Sequence, residues 1–316
     1  MHVGLRPAQW LASLGILLLL LLIGSQDPVR LYAGAQPKPI TVPLLEVGGL
    51  RSVDGAVSSP DAFSATSVYI LSQENGEVLF EQNSNTDYAP ASTTKLLTAL
   101  VARQNFALDQ ILTVPAVSFA DPRQPLVSGQ SYTVETLLTA LLVSSNNTAA
   151  YTLASAHPAG YDGFITDMND TARLLDLTNS YFTNPAGFDD PSHRSTARDL
   201  GQLFRATLRD PVLAELLSSK QAQLNRIDGT PVASLTNTHQ LLGNDTRARA
   251  GKTGTTDEAK QVLITLMETN THPYILVLLG SSDRYIETIR LADWVDQRYT
   301  WQIITPQNIL EQGVGL

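Results

Sequence analysis

The sequence of 316 residues contains no cysteine. This absence excludes disulfides, cysteine-ligated zinc and thiol chemistry. Charged residues are scarce, at 16%, and acidic ones outnumber basic ones, so that the net charge is −9 and the pI is near 5.0. Because there is also no run of basic residues, we do not expect nucleic acid or an anionic surface as the main partner. A hydrophobic content of 43% is enough for one large core.

One long apolar run stands near the N-terminus, over residues 10–23, with Arg6 before it and no acidic residue until Asp27. The run is shorter than the roughly 20 residues of a spanning helix and fits the apolar core of a signal peptide. A small-residue cleavage site, Ala-Gly-Ala, follows at residues 33–35. We therefore expect residues 1–35 to be a cleaved signal peptide or an uncleaved N-terminal signal anchor, and the rest of the protein to be exported.

The next segment, residues 36–62, is rich in Pro, Gly, Ser and Val without a sustained period, which predicts a linker. A single folded domain is expected over residues 63–300, followed by a short tail over residues 301–316. Within the domain, Asn75-Gly76 predicts a hairpin between two short strands.

Helical spacing dominates the middle of the domain, and apolar strands follow it. Predicted helices cover residues 92–103, 133–142, 164–175, 197–208 and 284–298; predicted strands cover residues 261–267 and 274–279. Thr133 and Thr196 are expected to cap two of these helices. In the last helix Ile286, Ile289 and Val295 are expected to face inward. Strands at both ends with helices between them favour an α+β fold, an antiparallel sheet with a helical insertion.

The first of three short motifs is the S-x-x-K sequence of residues 92–95. Residues three apart share a helix face, so the Ser92 hydroxyl and the Lys95 amine are expected to project together. A serine hydroxyl becomes a nucleophile when a neighbour takes its proton, and a lysine does this only where its surroundings keep it neutral. Apolar residues such as Leu96 and Leu97 predict the necessary burial. Alone, the motif also fits a capped helix with an exposed lysine.

The second motif is S-x-N at Ser145 and Asn147, directly after the leucine-rich helix; an overlapping S-x-N begins at Ser144. A hydroxyl and a carboxamide two residues apart on a loop can both face a cleft. The serine can then relay a proton and the asparagine can bond to a substrate amide. A polar helix C-terminus is the plainer interpretation.

The third motif is K-T-G at Lys252, Thr253 and Gly254, followed by Thr255, ahead of the strand at residues 261–267. A cation and a hydroxyl side by side can bind a substrate carboxylate. Gly254 allows a close backbone approach, which leaves the Thr255 N–H free to point at a developing oxyanion. A hydrated turn that leads into a strand is the alternative.

In this order, the motifs S-x-x-K, S-x-N and K-T-G form the set found in penicillin-recognising serine enzymes. The sequence resembles the D-alanyl-D-alanine carboxypeptidase family of low-molecular-mass penicillin-binding proteins over about residues 65–300. The stretches that carry the resemblance are residues 88–95, 137–154, 181–191, 195–199 and 251–259.

The resemblance implies a β-lactamase-like (DD-peptidase) fold, in which helices flank an antiparallel sheet and the site lies beside a mostly helical subdomain. It implies a serine-type carboxypeptidase that removes the terminal D-Ala from peptidoglycan stem peptides, with β-lactam antibiotics as covalent inhibitors. Ser92 would form the acyl-enzyme, and Lys95 would be its base. No metal or organic cofactor is implied.

The remaining roles are also carried over from the resemblance. Ser145 and Asn147 would assist proton transfer and substrate placement. Lys252 and Thr253 would hold the terminal carboxylate of the substrate. The N–H groups of Ser92 and Thr255 would form an oxyanion hole beside Gly254. Arg284 would add a carboxylate contact, unless it is a surface charge at a helix start.

Two features depart from the family pattern. Lys260 follows Ala259 where the family usually has glycine, which puts the local backbone approach in question. The usual C-terminal β-domain and terminal anchor are not found after the last predicted helix. If the protein is held at a membrane, we therefore expect the N-terminus to be the tether.

Alternative functions stay open. A serine β-lactamase would use the same serine and lysine, although the E-x-x-L-N loop of the class A type does not occur in the sequence. A non-catalytic cell-wall or penicillin-binding module is also compatible, because catalysis depends on fine placement. A Ser-His-Asp triad is weaker, since G-x-S-x-G is absent; His193 and His239 are interpreted as turn or surface residues.

Overall fold

The computed structural model describes residues 47–52, 60, 62–116, 125–269 and 272–304. The predicted signal segment and most of the predicted tail lie outside these residues, so both stay predictions. In the described part of the chain, no helix combines the length and the apolar character needed to span a bilayer.

The strands of the described chain are β1 (Val47–Ser52), β2 (Ser67–Ser72), β3 (Val78–Gln82), β4 (Ile111–Thr113), β5 (Ser131–Thr133), β6 (Gln221–Asn225), β7 (Pro231–Thr236), β8 (Ala248–Thr256), β9 (Lys260–Thr269), β10 (His272–Ser281) and β11 (Tyr299–Ile304). The helices are α1 (Lys95–Asn105), α2 (Val134–Val143), α3 (Asn147–Ser155), α4 (Gly160–Leu174), α5 (Ala197–Thr207), α6 (Pro211–Ser218) and α7 (Arg284–Arg298). A 3-10 turn, Ala91–Thr94, leads directly into α1.

The main sheet has the order β3-β2-β10-β9-β8 and is antiparallel throughout. The predicted Asn75-Gly76 hairpin is confirmed, because β2 and β3 pair and Gly76 has a φ of +78°. The predicted hairpin between the two apolar strands is likewise β9–β10. Strand β10 pairs on its other side with β2, so the sheet joins the two ends of the domain. Strand β8 forms one edge.

Both faces of this sheet are covered, which explains why its central strands read as continuous apolar runs rather than as alternating ones. On β10, Ile275 and Val277 belong to a core shared with helices α1 to α6. Their neighbours Leu276 and Leu278 point into a second core, which also contains Val295 of α7. The period of two along the strand therefore distributes its side chains between two apolar layers.

The helical subdomain lies on the first of these faces. Thr133 and Thr196 cap α2 and α5, as predicted, because their hydroxyls accept the N–H groups of Thr136 (3.2 Å) and Asp199 (3.1 Å). The described structure thus has the expected architecture of an antiparallel sheet flanked by helices, with a mostly helical subdomain.

Three differences from the predictions concern the periphery. Within the predicted linker, residues 47–52 form β1, which pairs with β11 at the start of the predicted tail. Strands β6 and β7 form a small separate hairpin that the sequence pattern did not indicate. Ile286 was expected to face inward but is 50% exposed. The inward face of α7 instead carries a buried carboxylate, Glu287, which accepts a 2.6 Å hydrogen bond from the Ser281 hydroxyl.

Candidate active site

Ser92 and Lys95 meet at the start of α1. Ser92 lies in the 3-10 turn, and Lys95 is the first residue of the helix. The Lys95 Nζ lies 2.7 Å from the Ser92 Oγ, so the spacing of three residues does bring the two groups together. Lys95 is fully buried, unlike the exposed lysine that was the alternative.

The surroundings of Lys95 disfavour its charged form. Burial is the main cause that lowers the pKa of Lys95 well below its ordinary value, and the nearby Lys252 adds to it. Its second hydrogen bond goes to the carbonyl oxygen of Ala186, at 2.6 Å. A neutral amine that donates to this carbonyl can direct its lone pair at the Ser92 hydroxyl, which is the arrangement a general base needs.

Ala186 belongs to a loop that a single side chain shapes. The Asn184 Oδ1 accepts the N–H groups of Ala186 (3.2 Å), Gly187 (2.8 Å) and Phe188 (3.0 Å). Gly187 has a φ of +84°, and a Cβ there would lie 1.8 Å from the Ala91 carbonyl oxygen. The loop is therefore locked against the turn that carries the serine. Sequence reasoning assigned it no role, although residues 181–191 carried part of the family resemblance.

The S-x-N motif lies in the short connection between α2 and α3. Ser145 has a φ of +57°, in the left-handed region that non-glycine residues seldom adopt. The Lys252 Nζ donates to the Ser145 Oγ at 2.7 Å. Asn147 is the half-buried first residue of α3. The structure thus joins this motif to K-T-G through one hydrogen bond.

The overlapping motif that begins at Ser144 has other partners. The Ser144 hydroxyl donates back to the Ala140 carbonyl at 3.0 Å. The Asn146 side chain caps α3 by accepting the N–H of Ala149 at 2.8 Å. Both side chains therefore serve helix ends, which favours the register with Ser145 and Asn147.

The K-T-G motif was expected ahead of a strand, but it lies inside β8, the edge strand of the main sheet. Lys252 is fully buried, and its Nζ also donates to the Thr253 carbonyl at 2.9 Å. Burial, assisted by the positive charge of Arg284, lowers the pKa of Lys252 to about 7.

Gly254 allows β8 to pass close to the serine turn. A Cβ at this position would lie 2.9 Å from the Ala91 Cβ and 3.0 Å from the Ser92 nitrogen. A side chain would therefore push the strand away from the turn. The close approach brings the backbone of β8 at Gly254 next to the Ser92 N–H.

Arg284 starts α7 and is half-buried. Its Nη1 donates to the Gly254 carbonyl (2.6 Å), the Thr255 hydroxyl (2.9 Å) and the Val262 carbonyl (3.1 Å). The residue is therefore more than a surface charge at a helix start, because it braces β8 against β9 beside the site.

His193 and His239 were interpreted as turn or surface residues; both do lie in connections outside the helices and strands, but the surface position is wrong, since they are only 4% and 1% exposed. The His193 Nε2 lies 2.8 Å from the Thr94 Oγ1, and its Nδ1 accepts the Thr183 N–H at 3.0 Å. Burial lowers the pKa of His193 to about 4 and that of His239 to about 3, so both are neutral at ordinary pH. Their polar sequence neighbours gave no sign of this burial.

Lys260, in the place where the resembled family usually has glycine, opens β9 with a φ of +53°. The turn between β8 and β9 thus keeps the left-handed conformation that glycine adopts most readily. Lys260 therefore gives this turn a larger side chain and more backbone strain than glycine would, but β8 and β9 still pair as a hairpin.

Comparisons with known proteins show what this chain is similar to. The sequence model of the family described as D-alanyl-D-alanine carboxypeptidase matches residues 54–283. The chain is 34% identical over 217 residues to the D-alanyl-D-alanine carboxypeptidase DacB2 of Mycobacterium tuberculosis, covering 66% of this chain and 72% of that protein. It is 30% identical over 239 residues to a D-alanyl-D-alanine endopeptidase of Pseudomonas aeruginosa, covering 73% and 76% of the two chains.

Solved structures show the same likeness. The crystal structure of the Streptomyces K15 DD-transpeptidase superposes with a TM-score of 0.70 at 25% identity, covering 75% of this chain and 98% of that one.

Proposed function

This chain belongs to the D-alanyl-D-alanine carboxypeptidase family, and on that basis we propose that it is a serine enzyme that removes the terminal D-Ala from peptidoglycan stem peptides. The observation that carries the proposal is the 2.7 Å contact between the Ser92 Oγ and the buried Lys95 Nζ. A buried amine with a lowered pKa supports the role of base, because it is neutral and ready to take a proton.

Acylation starts when the Ser92 hydroxyl gives its proton to the Lys95 Nζ and its oxygen bonds to the carbonyl carbon between the two D-alanines. In this proposal the N–H groups of Ser92 and Thr255 stabilise the oxyanion that forms, and the close approach of Gly254 to the Ser92 nitrogen supports this role. The C–N bond then breaks, and the proton that Lys95 accepted passes through the Ser145 hydroxyl, assisted by Asn147, to the departing D-Ala nitrogen, so that Lys95 is neutral again. The hydrogen bond from Lys252 to Ser145 supports this relay.

The terminal carboxylate of the substrate is held by Lys252 and Thr253, beside Gly254 and Thr255. Arg284 contributes indirectly, since its Nη1 is bonded to Gly254 and Thr255. Hydrolysis completes the cycle when Lys95 takes a proton from water, the hydroxide oxygen bonds to the acyl carbon and Ser92 leaves with a proton.

The setting of this activity is part of the proposal. The substrate class places the domain outside the cytoplasm, which agrees with a signal peptide or signal anchor over residues 1–35. We infer that an uncleaved N-terminus would tether the enzyme to the membrane beside the cell wall. β-Lactams would acylate Ser92 because they present a strained amide and a carboxylate to the same groups.

Incubation of the protein with a labelled penicillin and with a stem peptide ending in D-Ala-D-Ala tests the proposal. We expect a stable adduct on Ser92, release of D-Ala from the peptide, and neither result for Ser92→Ala. Rapid turnover of the penicillin would indicate a β-lactamase, and no adduct would indicate a binding module. Cleaved cross-links without free D-Ala would indicate an endopeptidase.

A matched pair of variants tests the proton relay. Ser145→Ala removes the hydroxyl that Lys252 contacts, whereas Ser144→Ala removes a neighbouring hydroxyl that donates to the Ala140 carbonyl at a helix end. We expect Ser145→Ala to lower the acylation rate about 100-fold or more, as loss of a proton-transfer group does, and Ser144→Ala to leave it nearly unchanged. Equal rates for the two variants would contradict the role of Ser145.

A further inference from the structure

Thr238 lies between β7 and β8 and is hydrogen-bonded to α2, to α7 and to K-T-G itself. Its N–H donates to the Val143 carbonyl at 3.2 Å, at the end of α2 and two residues before Ser145. Its carbonyl accepts the Tyr285 hydroxyl at 2.9 Å, next to Arg284. Its own hydroxyl lies 2.7 Å from the hydroxyl of Thr253.

The turn that carries Thr238 is itself fixed. The Asn237 Nδ2 donates to the Ser219 carbonyl at 2.8 Å, and the Asn237 Oδ1 accepts the N–H of His239 at 2.9 Å. His239 is buried against the ring of Tyr285, with the ring centroids 6.3 Å apart. These contacts therefore hold the turn so that the Thr238 hydroxyl lies against that of Thr253.

The direction of the hydrogen bond between the Thr238 and Thr253 hydroxyls matters, because each threonine hydroxyl has one proton to donate. If Thr253 gives its proton to Thr238, its oxygen can only accept, and it repels a carboxylate. If Thr238 donates instead, the Thr253 proton is free for the substrate. A chain of donors from Thr238 through Thr253 to a carboxylate is also mutually strengthening, because each bond polarises the next.

We propose that Thr238 is a positioning residue that sets the Thr253 hydroxyl as a hydrogen-bond donor toward the carboxylate of the substrate. The inference rests on the proposed function, since it deepens the role given there to Thr253. Thr238 touches no reacting atom and acts through its neighbour, so its loss should weaken substrate binding more than the chemical step.

The test compares Thr238→Val, Thr253→Val and the double variant in D-Ala release and in acylation by penicillin, which also carries a carboxylate. We expect Thr238→Val to lower kcat/KM about tenfold, mainly through KM, and Thr238→Ser to recover most of it. The double variant should be no worse than Thr253→Val alone, because the two residues act in series.

Thr265→Val is the matched control. Thr265 is a buried threonine of β9 whose hydroxyl donates to the Ala250 carbonyl at 3.3 Å, and its loss should leave kcat/KM unchanged. Melting temperatures report whether each variant folds. If Thr238→Val does not fold, Thr238→Ala, which removes the hydroxyl without adding bulk, carries the same expectation.

If the wild-type protein is active and Thr238→Val is equally active, this inference is overturned while the proposed function stands. The same holds for losses that multiply in the double variant, or for a Thr253→Val that is fully active. Wild-type protein that neither releases D-Ala nor takes up penicillin would overturn the proposed function, and this inference with it.

Discussion

Positively charged side chains have different partners on the two faces of the main sheet. On the face of α7, Arg247 donates to three carboxylates, those of Asp245 (2.7 Å), Asp293 (2.7 Å) and Asp296 (2.8 Å). On the face of the helical subdomain, Lys95 and Lys252 are completely buried, and their hydrogen bonds go to hydroxyl and carbonyl oxygens. No carboxylate among the described residues forms an ion pair with either lysine.

The difference separates an ion-paired arginine from the two lysines of the proposed active site. The Asp245 carboxylate is the main cause that raises the pKa of Arg247, and in return the arginine lowers the pKa of Asp245. Each charge stabilises the other. Among the described residues the lysines have no such partner, so burial disfavours their protonated forms, and a neighbouring positive charge adds to this, that of Lys252 for Lys95 and that of Arg284 for Lys252. A base and a carboxylate-binding group can be made this way, at a cost in stability that Arg247 does not impose.

The largest effect on activity is expected when Lys95 is replaced by a side chain that is always charged. Lys95→Arg keeps the length and hydrogen-bonding capacity of the side chain, but guanidinium cannot lose its proton at working pH. We expect acylation by penicillin to slow by about 10³-fold, the scale of losing a general base. The rate is measured by stopped-flow or gel labelling. Substantial activity in this variant would refute the assignment of Lys95 as the base.

Removing each cation should change stability in opposite directions. Arg247→Met leaves three carboxylates close together and should lower the free energy of unfolding by about 2 kcal/mol at pH 7, less than for a fully buried pair. Lys95→Met should raise it by about 1 kcal/mol while abolishing activity, because a buried amine is replaced by an apolar chain. Denaturant unfolding measures the stability of both variants. Changes of the same sign would contradict the contrast between Arg247 and Lys95.

The pH dependence of these two changes follows from the pKa shifts. The lowered pKa of Asp245 contributes stability above its unfolded pKa, and this contribution is lost as pH falls through the folded value. The defect of Arg247→Met should therefore shrink in acid. The lowered pKa of Lys95 costs stability wherever the unfolded lysine is charged, so the gain in Lys95→Met should shrink in alkali.

The pH dependence of activity should also distinguish the titration of Lys95 from that of Lys252. The rate kcat/KM should fall about tenfold per unit on the acid side, as Lys95 becomes protonated. It should fall again as pH rises through about 7, where Lys252 loses the charge that attracts the carboxylate. A bound carboxylate favours the charged form of Lys252, so the alkaline limb of kcat should lie higher. Measurements of D-Ala release against pH check this prediction. It would be contradicted if kcat and kcat/KM fell at the same pH on the alkaline side.

The smallest effect concerns strain outside the reacting groups. Lys260 holds a φ of +53° on an exposed turn, whereas Ser145 holds +57° within the site. Lys260→Gly should raise the free energy of unfolding by about 0.5 kcal/mol, since relief of the left-handed strain slightly exceeds the entropy cost of glycine. Activity should stay within a factor of two. Measured destabilisation would show that the Lys260 side chain contributes packing that outweighs its strain.

Much of the framework could be predicted because local signals agree with the fold. Asn75-Gly76 gave a hairpin, Thr133 gave a helix start, and the spacing of Ser92 and Lys95 placed two reactive groups together. In each case the determining interaction lies within a few residues along the chain. The order of the three motifs added the family resemblance, which supplied roles that no local pattern could give.

The parts that escaped prediction depend on contacts between distant segments. The Ala186 carbonyl is a backbone group and leaves no side-chain signature, although it holds Lys95. Strand β8 contains glycine, charge and threonine instead of alternating apolar residues, because it is an edge strand that lines the site. Ile289 and Val295 of α7 pack inward as predicted, but Ile286 does not, because a buried carboxylate, Glu287, occupies that part of the inward face, and apolar periodicity cannot indicate such a residue.

The strand order of the main sheet determines when the chain can fold. The hairpin β2–β3 and the hairpin β8–β9 become neighbours only through β10, which lies between β2 and β9 and ends at Ser281. During synthesis the serine turn is therefore made long before the strands that complete its cleft, and long-range pairing of this kind is slow. The main sheet can therefore close only after the chain has been synthesised as far as Ser281.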